Sequence, residues 1–211
     1  MLIGGRHLGS ASDPPVQISL ALQSQPLDTF DVGPGFFSRR IPLRPGLLSG
    51  TSYLPLEVSS RPANGLNTTI SVGLEQFDVQ SPGMPMIAVD EGWYEPEYNP
   101  RTARAWRWTS EKAVVWVRPI GRNVTLTLSG ESPLKYFAVA PAVVVSLGDQ
   151  EVARFSPTSD FAQSVVLPAA ALAAADGRVV IASDTFFVPA EREGSEDQRH
   201  LALRIYSYSV R

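Results

Sequence analysis

Apolar and polar residues alternate along most of this chain in short runs, each bounded by turn residues. Val16 to Leu22 is the clearest: Val16, Ile18, Leu20 and Leu22 are apolar and the positions between them point the other way. Period two marks a strand with one buried face. The same reading predicts strands over Tyr53 to Val58, Ile70 to Val79, Ala113 to Val117, Val124 to Leu128 and Val143 to Leu147. It adds Phe161 to Leu167, Val179 to Ile181 and Leu201 to Val210. One stretch, Ala169 to Ala175, has helical composition but is shorter than the roughly 12 residues that sustain an isolated helix. It reads as a single turn between strands. The expected class is all-β.

The pattern repeats at a shift of about 125 residues, a domain-sized period. Ile3 and Gly5 overlay Leu128 and Gly130. Ile18, Leu20 and Leu22 overlay Val143, Val145 and Leu147, and Leu27, Phe30 and Phe36 overlay Val152, Phe155 and Phe161. After a longer loop in the second copy (Pro189 to Arg199), Ile70, Val72, Leu74, Phe77 and Val79 overlay Leu201, Leu203, Ile205, Tyr208 and Val210. These overlays predict two tandem jelly-roll-like β-sandwich units, residues 1–89 and 90–211. The second opens with Gly92 to Val117, which holds all four tryptophans and includes a turn at Asn99-Pro100-Arg101. The first has no counterpart to that segment and is expected to lack its opening strands. Uncovered edges invite pairing, so residues before Met1, a second copy or a partner chain are expected to cover them.

Composition narrows the partners. Hydrophobic residues make up 44% and charged residues 18% of 211, as in a globular protein. The net charge of −3 and the lack of a basic stripe argue against nucleic acid. There are no cysteines, so thiolate sites and disulfides are excluded. No run reaches the roughly 18 apolar residues of a membrane helix. Gly4, Gly5, Arg6 and His7 interrupt any signal-peptide core. Membrane insertion by this chain is not expected, and a secretion signal or anchor would lie outside it.

Several stretches together resemble a known region. They are Gly92-Trp93-Tyr94-Glu95-Pro96-Glu97, Arg107-Trp108 with Glu111 and Ala113, Leu126 to Pro133, and Phe187-Val188-Pro189 with Ser195, Asp197, Arg199 and Leu201 to Leu203. Gly4 to Gly9, Val32 to Phe37 and Leu74 to Asp78 fit the same pattern. They resemble the extracytoplasmic C-terminal β-sandwich region of bacterial membrane glycosyltransferase-like proteins, itself similar to galactose-binding-like jelly rolls. The resemblance implies a periplasmic or cell-surface location. It also implies an accessory role, because the membrane spans and catalytic carboxylates of such enzymes are absent from this sequence.

The chemistry concentrates in one segment. Aromatic rings stack on sugar faces while carboxylates and guanidinium groups bond the hydroxyls. Trp93, Tyr94, Glu95, Glu97, Trp106, Arg107 and Trp108, with Arg199, form the candidate carbohydrate site. Tyr98 and Arg101 flank it. Large aromatics also fill sandwich cores, and a core role is expected for one of these tryptophans. Period two puts Trp106 and Trp108 on one face and Arg107 on the other. Asp184 and Asp197, among the charges Glu191, Arg192, Glu193, Glu196 and Arg199, are candidate ligands for a structural Ca²⁺. The alternating signs fit a solvated, internally paired loop as well. No other cofactor is expected.

His7 and His200 stand in no triad or metal motif. The Glu95/Glu97 pair, two residues apart on one strand, is poorly placed to face a glycosidic bond from both sides. The sequons at Asn67 and Asn123 carry no weight in a bacterial protein. The expected function is therefore a non-catalytic, carbohydrate-contacting accessory domain whose partners are a glycan or the parent membrane protein. The alternatives are a structural assembly protein completed by a partner chain or a homo-oligomer, and a glycoside hydrolase.

Overall fold

The structure, a computed structural model, describes residues 1–48, 53–63 and 71–211. Ile70 and the Asn67 sequon lie outside the described residues. The chain divides into two compact units, Met1–Gln80 and Ser81–Arg211. Among the described residues every strand pairing is antiparallel and helix is confined to short segments, so the all-β class holds.

Among its described residues the first unit has six strands: β1 Leu2–His7, β2 Val16–Leu22, β3 Gln25–Val32, β4 Gly35–Arg40, β5 Leu56–Pro62 and β6 Val72–Asp78. They form two three-stranded sheets, ordered β4-β1-β6 and β3-β2-β5. The alternation in Val16–Leu22 is realised residue by residue, each apolar position buried and each intervening one half-buried. Ile3 and Phe37 from one sheet pack in a single cluster with Ile18, Leu20 and Val32 from the other, which makes the unit a sandwich. Burying each such side chain contributes about 1.5–3 kcal/mol. The fifth strand starts later than expected, at Leu56. Tyr53 is fully exposed, and Pro55, which has no N–H to give a ladder, precedes the pairing.

The second unit begins with β7 Ile87–Val89, β8 Trp93–Asn99, β9 Arg104–Thr109, β10 Lys112–Val117 and β11 Val124–Glu131. It continues with β12 Val143–Leu147, β13 Gln150–Phe155, β14 Phe161–Leu167, β15 Arg178–Ser183 and β16 Arg204–Val210. The alanine turn is helix α1, Ala169–Ala174, and closes on Leu172, its one buried residue. The long loop carries a second short helix that periodicity did not predict, α2 Pro189–Glu193. Proline opens it and Gly194, at φ 65°, ends it. The two five-stranded sheets run β14-β11-β16-β9-β8 and β13-β12-β15-β10-β7.

Three adjacent strands of each larger sheet, β14-β11-β16 and β13-β12-β15, repeat the order of β4-β1-β6 and β3-β2-β5 in the first unit. The irregularities repeat too. The β1–β6 ladder slips at Gly4/Gly5 and the β11–β16 ladder at Ser129/Gly130. The β2–β3 ladder slips at Leu20/Ala21 and the β12–β13 ladder at Val145/Ser146. At the first pair of bulges the backbones meet so closely that only glycine fits. A Cβ on Gly5 would lie 2.0 Å from the Gly73 carbonyl oxygen, and one on Gly130 would lie 2.3 Å from that of Arg204. The second unit differs by what it adds: β9 and β8 extend one sheet beyond β16, and β10 and β7 extend the other beyond β15. Among the described residues, no helix is long and apolar enough to cross a membrane.

This geometry sets a stability test. Gly5→Ala and Gly130→Ala are expected to destabilise their units by about 1–3 kcal/mol, the range for overpacking. Gly33→Ala, whose Cβ would meet nothing within 4 Å, should change stability by less than about 0.5 kcal/mol. Urea unfolding of the three variants measures the difference.

Candidate functional site

The site is built on the outer face of the β14-β11-β16-β9-β8 sheet. Residues opposite one another in an antiparallel ladder share a face, and register places Trp108 opposite Arg204 and Arg204 opposite Glu131. Glu97 lies opposite Trp106. Four neighbouring strands therefore carry a stripe: Glu97 on β8, Trp106 and Trp108 on β9, Arg204 on β16 and Glu131 on β11. Arg107 faces the other way, beside buried Ile205, and its guanidinium donates to the Tyr94 carbonyl at 3.1 Å.

Arg204 is the centre of the stripe. Its guanidinium carbon lies 4.9 Å from the Trp106 ring centre and 4.7 Å from that of Trp108. Such contacts contribute about 0.5–2 kcal/mol, most when desolvated. Its Nη1 pairs with Glu131 Oε1 at 2.6 Å, and the other oxygen of Glu131 accepts from the Tyr206 hydroxyl at 2.6 Å. Burial, then that hydrogen bond, raises the Tyr206 phenol above its ordinary value. At the other end of the stripe, Trp106 Nε1 donates to Glu97 Oε2 at 2.9 Å, and Glu97 Oε1 accepts from Arg199 at 3.0 Å.

Two loops roof this face. The first contains the 3₁₀ turn Leu134–Tyr136, and the second runs from Phe187 through α2 to Leu201. The second is pinned at its base by reciprocal backbone hydrogen bonds between Phe187 and Leu201. Phe187 meets Trp108 edge-on at 5.8 Å and carries Tyr136 stacked on it at 4.0 Å. The Tyr136 hydroxyl bonds Glu193, which also pairs with Lys135 at 3.3 Å. Between roof and stripe lies a cleft of about 610 Å³. Its walls combine aromatic rings with three cations (Lys135, Arg199, Arg204) and four carboxylates (Glu97, Glu131, Glu193, Asp197). Two polar atoms of wall residues, Arg204 Nε and Ser132 Oγ, are buried with no hydrogen-bond partner among the described residues.

Of the eight residues expected from sequence, Glu97, Trp108 and Arg199 line the cleft, and Trp106 packs directly behind it. Trp93 lies in the sandwich interior, its Nε1 donating to the Val114 carbonyl at 2.8 Å and its ring edge-on to Tyr208. Tyr94 supports Arg199 from below, 5.2 Å from the guanidinium carbon, and burial raises its phenol above the ordinary value. Arg107 is an internal brace, and Glu95 is exposed on β8. Asp197 holds Arg199 through both carboxylate oxygens. Asp184 accepts from the Ala142 amide and the Thr185 hydroxyl, both at 2.9 Å. Among the described residues, no group of three or more acidic or histidine side chains is arranged to hold a metal ion.

Sequence reasoning missed Glu131, Tyr136, Phe187 and Arg204 as site residues. Period two alone puts Arg204 and Tyr206 on one face of their strand. Only the pairing register brings that face under β9. Both histidines make contacts within the fold, away from the cleft lining. His7 accepts from the Gly9 amide at Nδ1, which puts its ring proton on Nε2, facing the Pro14 carbonyl. His200 stacks on Phe186 and lies 3.3 Å from Glu111.

No family model and no curated protein sequence matches this chain.

The Arg199–Asp197 pair has a pH signature. Hydrogen bonds from the Arg199 guanidinium hold the Asp197 carboxyl below the usual carboxylate range, and the same contact raises Arg199. A depressed carboxyl contributes stability that is complete above its unfolded value of about 3.9 and is lost as pH falls through the lower folded value. Unfolding free energies should therefore be flat for this pair above about pH 5 and fall below about pH 4. In Asp197→Asn, the drop in urea midpoint between pH 6 and pH 3 should be smaller than in the parent protein.

Proposed function

We propose that the second unit binds a carbohydrate in this cleft, as the non-catalytic accessory part of a bacterial envelope glycosyltransferase-like protein. The observation that carries the reading is the convergence, in one 610 Å³ cleft, of the Tyr136–Phe187–Trp108 ring cluster with carboxylates and guanidinium groups already fixed by one another. Small-ligand sites combine apolar surface with oriented polar groups, and the walls of this cleft lean to the polar side. Rings and fixed charges suit the apolar faces and hydroxyl rims of a sugar. Because the charges are held in place beforehand, little ordering is left for a ligand to impose.

The accessory role, the extracytoplasmic location and the jelly-roll description rest on the sequence resemblance. The repeated strand order of the two units is compatible with them. A hydrolytic reading has less behind it. Both oxygens of Glu97 are engaged by Trp106 and Arg199, and both of Glu131 by Arg204 and Tyr206. A general acid needs a carboxyl free to deliver its proton to a leaving oxygen.

The test is an array of bacterial envelope glycans probed with the full chain. Binding is expected, weakened at least tenfold in Tyr136→Ala and Arg199→Ala. It should be retained in Tyr98→Ala, an exposed ring on β8 outside the cleft. Failure of the folded protein to bind any glycan, or binding indifferent to the two cleft variants, disposes of the reading.

A further inference from the structure

Both faces of the Tyr136 ring are taken. Phe187 stacks on one, its ring centre 4.0 Å away and its plane tilted by 21°. The Lys135 ammonium lies over the ring, 4.3 Å from its centre. Two groups that close cannot share a face, so Lys135 covers the side that Phe187 leaves open. Glu193 holds the arrangement together through one oxygen, Oε1, which accepts from the Tyr136 hydroxyl and pairs with Lys135 Nζ at 3.3 Å. An ammonium group thus sits in a seat made of one aromatic face and one carboxylate, in the wall of the cleft.

This cation is held far less firmly than the other two in the walls. Asp197 grips Arg199 at Nε and Nη2, and Nη2 reaches Glu97 as well. Arg204 is fixed by Glu131 and by the rings of Trp106 and Trp108. The Lys135 side chain, by contrast, is 70% exposed and that of Glu193 46%, and an ion pair so open to water contributes little. With Lys135 turned out to solvent, the walls keep four carboxylates against two guanidinium groups. The seat is therefore easily vacated, and what it favours in return is another cation.

We propose that this seat recognises an amino sugar, a hexosamine whose nitrogen is unsubstituted and charged. Its ammonium displaces that of Lys135, lies over the open face of Tyr136 and pairs with Glu193. The ring quadrupole attracts the cation, and the carboxylate adds a charge-assisted hydrogen bond. An N-acetylated sugar carries an uncharged amide at that nitrogen, so it cannot replace the charge that Lys135 supplies. An anionic sugar meets the excess of carboxylates and is repelled. The inference rests on the carbohydrate reading of the cleft and names the class of sugar that the cleft selects.

The test titrates the full chain with a glucosamine trimer, its N-acetylated counterpart and a glucose trimer, at about pH 6, where an aliphatic amine is charged. The glucosamine trimer is expected to bind at least tenfold more tightly than the other two. Glu193→Gln should abolish that preference. Lys135→Ala removes the internal competitor and should strengthen glucosamine binding about twofold to fivefold. Glu91→Gln, which removes the same charge from an exposed position outside the cleft, should leave the preference unchanged. Equal or tighter binding of an uncharged trimer overturns the proposal and leaves the carbohydrate reading standing. So does a preference that survives Glu193→Gln, falls equally in Glu91→Gln, or is weakened by Lys135→Ala. If none of the trimers binds while other envelope glycans do, the proposal alone falls; if no glycan binds, both fall together.

Discussion

The close passage of Gly130 against the Arg204 carbonyl governs both the fold and the cleft. No side chain fits between a Cβ position and an oxygen 2.3 Å away, so the strands meet there only with glycine and with a bulge. That bulge sets the register beyond it. Glu131 falls opposite Arg204, and Arg204 falls opposite Trp108. A slip of one residue would exchange the two faces, sending Arg204 into the sandwich and Ile205 out under the loops. The first unit uses the same device at Gly5 and Gly73, where it aligns Leu74 and Phe77 with the core side.

The aromatic segment that opens the second unit does two things at once, and its two faces divide the work. Trp93 and Arg107 face inward and close the sandwich at β16 and β10. Glu97, Trp106 and Trp108 face outward and form one end of the charged stripe. Period two makes this division possible, because a strand that caps a sheet edge still presents half its side chains elsewhere. A ligand site on this face therefore rests on strands whose inner face is locked in the core, rather than on loops alone. The loops contribute the roof: Tyr136, Phe187 and the Asp197–Arg199 turn.

Much of the fold was legible in the chain. Three strands, Val16–Leu22, Val143–Leu147 and Phe161–Leu167, have the ends that alternation gives them, because each alternates cleanly between one buried and one open face. The turn joining β2 to β3 was not legible. Gln23 and Ser24 both take positive φ there, at 50° and 63°, although neither is a residue type that advertises it. In the second unit the matching turn holds Gly148, which does. Helix α2 was hidden because five residues are too few to show a period. The cleft was half legible: composition pointed to β8 and β9, whereas Glu131, Arg204, Phe187 and Tyr136 come from distant stretches that only pairing and a covering loop bring together. Trp93 shows the limit from the other side. An indole beside acidic residues looks the same on paper whether its nitrogen meets a ligand or, as here, the Val114 carbonyl.

The placement of the tryptophans has an optical consequence. All four lie in the second unit, and the first has a single tyrosine, Tyr53, as its strongest near-ultraviolet absorber. Indole emission excited at the red edge therefore reports on one half of the molecule alone, while far-ultraviolet circular dichroism reports on both. The difference between the two melting curves isolates the half that carries no indole. Trp106 and Trp108, each with a guanidinium beside its ring, give that emission a component tied to the cleft itself.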